Sequence, residues 1–78
     1  MSAQKLTHMA NQIAAFFRSQ PEADAVDGVA DHIRSYWNVV MRREAYAHLA
    51  AGGEGLDPLA QRALELLRAQ ETSAAAKT

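Results

Sequence analysis

Cysteine is absent from this chain, aromatic residues are few, basic charge is not in excess, and no long apolar run occurs. Without thiols there can be no disulfide, no thiolate nucleophile and no iron–sulfur ligation, and the common structural zinc sites are excluded. Eight basic side chains stand against nine acidic ones, a formal net charge of −1. Nucleic-acid binders carry a basic excess, so no nucleic-acid partner is expected. No apolar stretch approaches the roughly 18 residues that a membrane span requires. Met1 to Lys5 leads into an amphipathic rather than a continuously apolar segment, so no secretory signal is expected. These features together predict a soluble, cytoplasmic chain that does not engage membranes.

What is present is alanine, helix-favouring but poor in buried area per residue. A single domain of 78 residues buries a modest core, worth on the order of 3–5 kcal/mol. With disulfides excluded, a partner is the leading source of further stability. Leu6, Met9, Ala10, Ile13, Phe16 and Phe17 recur at helical spacing and predict a first helix over roughly Gln4 to Arg18. Ser19 with Glu22 reads as a capping box and Pro21 as a first-turn residue, opening a second helix over about Pro21 to Tyr36. Its apolar face is Val26, Val29, Ala30, Ile33 and Trp37, and Gly28 inside it suggests close approach of a neighbouring helix. Asn38 can cap a third helix over about Val39 to Ala51, with Met41, Ala45 and Leu49 on one side. Gly52-Gly53 would end that helix in left-handed geometry. Asp57 and Pro58 then start a fourth, with Leu59, Ala63, Leu66 and Leu67 as its stripe. The expected architecture is all-α, a small compact bundle of about four short helices. Residues 1–3 form a flexible N-terminus, 4–69 the helical domain and 70–78 a flexible C-terminal tail.

No constellation in the sequence supports chemistry. His8, His32 and His48 lie outside any recognised metal-ligand spacing, and Glu44 with His48 reads as a surface contact on one helix face. Asp31 and Arg34 read as a same-face charge pair. Ser35 near His32 has neither the elbow nor the oxyanion donors of a nucleophile. The Gly-Gly-Glu-Gly run at 52–55 lacks the following Lys-Ser/Thr of a phosphate loop and is a turn. No catalytic, cofactor-binding or metal residue is assigned.

The densest stretch is Tyr36-Trp37-Asn38-Val39-Val40-Met41-Arg42-Arg43. Trp, Tyr and Arg dominate the buried centres of protein–protein contacts, because each joins large area to a polar or planar charged end. Trp37 continues the stripe of the second helix and so belongs at least partly to the core. Tyr36, Met41 and the two arginines gather at one interhelical corner, a composition that suits partner contact.

Several blocks in order resemble a known family: Met9-Ala10-Asn11-Gln12-Ile13-Ala14-Ala15-Phe16-Phe17, Gly28-Val29-Ala30-Asp31-His32-Ile33, Trp37 with Met41-Arg42-Arg43, and His48 through Leu59. The ordered set is similar to the delta subunit of soluble, NAD-dependent, molybdenum- or tungsten-containing formate dehydrogenases, over roughly residues 5 to 67. The family often carries Asp-Pro-Arg where this chain has Asn38-Val39-Val40, so the shape of the corner departs from its pattern. The resemblance implies a non-catalytic accessory subunit, with no cofactor in this chain. The implied complex has an alpha subunit holding the metal pterin cofactor and iron–sulfur clusters. Its beta and gamma subunits carry flavin and further clusters. The implied partner is the alpha subunit, and the candidate interface residues are Asn11, Tyr36, Trp37, Met41, Arg42 and Arg43. Two other roles are open to such a chain: a transient, chaperone-like factor for cofactor insertion, and a self-associating helical module.

Overall fold

Four helices account for most of the chain: α1 (Ala3–Phe17), α2 (Glu22–Tyr36), α3 (Val39–Ala50) and α4 (Pro58–Ala76). This computed structural model describes residues 2–76, and no strand occurs among them. A Cα radius of gyration of 11.7 Å is close to the ~11.5 Å that scaling gives for a compact chain of this length. The four helices form one body. α2 packs most extensively on α4, and α1 lies against all three other helices.

The caps explain most of the boundaries. Ser2 Oγ accepts the Lys5 N–H at 3.1 Å and starts α1. Asn38 Oδ1 accepts the Met41 N–H at 2.9 Å and starts α3, as its sequence position suggests. Asp57 Oδ1 accepts the Leu59 N–H at 2.9 Å and starts α4, with Pro58 in the first position. The start of α2 differs from expectation: its N-cap is Pro21, and Ser19 makes no capping bond. A helix capped by Ser19 would need helical geometry at Gln20, and the following proline ring disfavours that. The carbonyl of Pro21 instead receives the Ala25 N–H at 2.9 Å.

Nearly half of the buried residues are alanines, among them Ala10, Ala14, Ala30, Ala60 and Ala63. The largest fully buried side chains are Leu6, Val29, Ile33, Leu64 and Leu67. The stripes shift slightly from the sequence reading. Ala25 is buried where Val26 is only half-buried, and Leu64 is buried where Leu66 lies at the edge. Gly28 does mark a close approach: a Cβ there would meet two Phe17 ring carbons at 2.5 Å. Gly53, with φ +64°, closes α3 by donating its N–H to the His48 carbonyl at 2.9 Å.

Helix α4 continues past Leu67, its last large apolar residue, and past residue 69, to Ala76. Gln70 accepts from Arg34, and Glu71 pairs with Arg42, so polar contacts hold the helix after hydrophobic packing ends. Residue 1 and residues 77–78, parts of the two ends expected to be flexible, lie outside the described residues. No described helix is long and apolar enough to cross a membrane.

Candidate functional site

The α2–α3 corner is organised around Trp37. Its N–H closes α2 on the Ile33 carbonyl at 2.9 Å, and its backbone then turns extended. The residue is only 5% exposed. Its carbonyl is an orphan helix-end acceptor, satisfied by the Arg42 guanidinium at 2.6 Å. Arg42 Nε also lies 2.6 Å from Glu71 Oε1. One arginine thus ties the end of α2 and the start of α3 to the distal part of α4. The Tyr46 hydroxyl is buried beside this pair with no hydrogen-bond partner among the described residues. Burial, and after it the Glu71 carboxylate, pushes the Tyr46 hydroxyl up to about 12, so it stays protonated at neutral pH.

On the other side of Trp37 lies an open groove of about 520 Å³. One wall is a ridge of α1 formed by Met9, Gln12, Ile13 and Phe16, with Phe17 beside it. The other consists of His32 and Tyr36 from α2 and Met41 from α3, over Trp37. Phe16 is 78% exposed and Tyr36 74% exposed, so the rims of the groove are themselves uncovered aromatic rings. Phe16 packs edge-on against Phe17 with centroids 5.1 Å apart, and Tyr36 lies over His32 at 4.7 Å. No lining residue is Asp, Glu, Lys or Arg. Aromatic and Met enrichment with charge depletion characterises the cores of protein interfaces.

The six candidate interface residues are only partly brought together. Tyr36, Trp37 and Met41 line the groove. Arg42 lies behind it, with its guanidinium occupied by Glu71 and the Trp37 carbonyl. Arg43 is exposed, and two residues along a helix place it about 200° around α3 from Met41. Asn11 sits under the α3–α4 loop. Its Nδ2 donates to the Gly55 carbonyl at 2.9 Å, and its Oδ1 accepts the Asp57 N–H at 2.8 Å.

The α1 wall is absent from the candidate interface residues. Helical spacing puts Phe16 in the core stripe, yet it projects into solvent, and Ala14 is buried instead. A signal for this was present. Ala14 and Phe16 lie about 160° apart around the helix, so the apolar arc of α1 is wider than the roughly 100° a single core-facing stripe needs. One edge faces the core and the other the groove.

Nothing in the described geometry assembles a reactive centre. His48 Nε2 lies 2.7 Å from the Glu54 carbonyl, which can only accept, so that nitrogen carries the proton. His32 is engaged by Tyr36. Among the described residues no group of three or more His, Asp or Glu could hold a metal ion. What the groove can do is bury apolar surface.

The sequence profile of one protein family, described as NADH-dependant formate dehydrogenase delta subunit FdsD, matches residues 5–64. No curated protein and no solved structure matches the chain. The matched span includes every residue that lines the groove.

Proposed function

The chain belongs to the NADH-dependent formate dehydrogenase delta subunit family, and from that membership we propose that it is a non-catalytic accessory subunit. It docks on the alpha subunit of the complex and supports that subunit's stability or assembly. Formate oxidation, the metal pterin cofactor, the iron–sulfur clusters and the flavin belong to the other subunits. The observation that carries this reading is the groove between α1 and the α2–α3 corner. A small domain with an alanine-rich core leaves Phe16 and Tyr36 in water around an apolar cleft lined by no Asp, Glu, Lys or Arg. Exposed apolar area gathered at one place marks an interaction surface.

The test is to produce the complex with and without this chain, then to measure metal and cofactor content, initial formate-dependent NAD reduction, and the half-life of activity at elevated temperature. The expected outcome is normal cofactor loading with a shortened half-life, and about one copy of this chain per alpha chain in the mature complex. An alpha subunit empty of cofactor, with this chain missing from the mature complex, would make it a maturation factor instead.

A further inference from the structure

We propose that the distal end of α4, from residue 70 onward, is a releasable strap latched to the other helices by Arg34 and Arg42, and that its opening loosens the α2–α3 corner at Trp37.

The latch stands where apolar packing would otherwise continue. Ala60, Ala63, Leu64 and Leu67 are buried on α4 at i, i+3, i+4 and i+7. The next positions of that stripe, i+10 and i+11, are Gln70 and Glu71. After Leu67 the sequence has no large apolar residue. In place of apolar contacts, α2 and α3 each supply one arginine. Arg34 donates to Gln70, and Arg42 Nε donates to Glu71 at 2.6 Å. A short helical end without an apolar seat is marginal by itself, so these contacts hold it docked.

Opening the strap costs little, for three reasons. Arg34 keeps Asp31 on its own helix and Arg42 keeps the Trp37 carbonyl, so neither guanidinium is left unpaired. Gln70 and Glu71 pass into water, and the Glu71 carboxylate is already 38% exposed, so salt screens its attraction to Arg42. The third reason is Tyr46. Its buried hydroxyl feels the Glu71 carboxylate directly and has no hydrogen-bond partner among the described residues. Lifting the strap admits water to it and relieves that cost. A leucine pair at 70 and 71 would provide none of these properties.

Arg42 carries the event to the corner. The guanidinium that holds Glu71 also holds the Trp37 carbonyl at the end of α2, at 2.6 Å. Without Glu71 it has one protein partner instead of two, and it fixes the end of α2 less firmly.

The experiment uses the purified full-length chain. It follows backbone hydrogen exchange by NMR and acrylamide quenching of Trp37, the single tryptophan. The amides of Glu71, Thr72 and Ser73 should exchange at least tenfold faster than that of Leu64 and respond little to low urea, as a local opening does. Raising sodium chloride from about 0.05 to about 0.5 M should speed their exchange by about threefold, and so should Glu71→Gln. Both changes should make Trp37 easier to quench. Tyr46→Phe should slow the exchange, because the closed strap then covers no unpaired hydroxyl. Exchange of these amides at the rate and urea dependence of Leu64 overturns the strap, which would then leave only with the whole fold. Fast exchange that neither salt nor Glu71→Gln alters overturns the latch and leaves ordinary fraying. Faster exchange in Glu71→Gln with unchanged Trp37 quenching overturns the coupling to the corner.

Discussion

Replacing Asn11 by Ala separates a folding role from a docking role, and its cost can be worked from the structure. The Asn11 amide makes two long-range bonds, donating to the Gly55 carbonyl and accepting the Asp57 N–H. Asp57 in turn caps α4 and pairs with Arg18 at the end of α1. The bond to Gly55 is exposed, so water replaces most of it and its net worth is about 0.5–1 kcal/mol. The bond to Asp57 is part-buried, and leaving that N–H unpaired costs about 1–2 kcal/mol. The sum is about 2 kcal/mol, a large share of the roughly 3–5 kcal/mol available to a core of this size. In a domain this small, each kcal/mol moves the melting temperature by about 4–8 °C. Asn11→Ala should therefore melt about 8–16 °C below wild type when followed by circular dichroism at 222 nm. Binding to the complex at low temperature, where the variant is still folded, should fall by less than about twofold. A melt within 2 °C of wild type, combined with lost binding, would refute the reasoning and return Asn11 to the interface.

Two further outcomes follow from the core and from the Arg42 cluster. Leu64→Ala should cost about 2–5 kcal/mol and leave the chain largely unfolded by calorimetry, whereas Leu66→Ala, at the edge of the core, should cost less than half as much. Because the Tyr46 pKa is raised above its ordinary 10 to about 12, the folded state holds that proton more tightly than the unfolded state. The contribution is complete below pH 10 and disappears as the pH rises toward 12. Tyr46→Phe should flatten the alkaline loss of stability in that window. At pH 7 its melting temperature should equal or exceed wild type, since it removes a buried hydroxyl that has no hydrogen-bond partner among the described residues. A marked loss at pH 7 would mean that the hydroxyl is bonded.

Most of the fold was legible because helix signals are local. Pro58 after Asp57, Asn38 before Val39 and the paired glycines at 52–53 act on their own backbone neighbours, and each lies where the structure uses it. The exceptions involve competition or distance. At Ser19 a proline two residues on overruled a plausible cap. At Leu64 and Leu66 the choice of buried residue depended on where α2 lies against α4, and no periodicity within α4 contains that. The site was half legible. Tyr36, Trp37 and Met41 stand close in sequence and carry interface chemistry, so composition found them. Phe16 is far along the chain, and only its exposure distinguishes it from a core residue.

By itself the sequence determined that this is a helical chain without thiols, with the starts of α3 and α4, its ordered family motifs and its thin alanine-rich core. These are consequences of residue type and spacing. Only the tertiary structure decided what Asn11, Arg42 and Phe16 do. Asn11 bonds residues 44 and 46 positions away, and Arg42 reaches 29 positions to Glu71. Phe16 projects outward because Ala10 and Ala14 bring α1 close against the core on its other edge. A polar side chain with spare hydrogen bonds suits an interface or a strut equally well. Which one it becomes depends on the backbone groups that packing places within 3 Å of it.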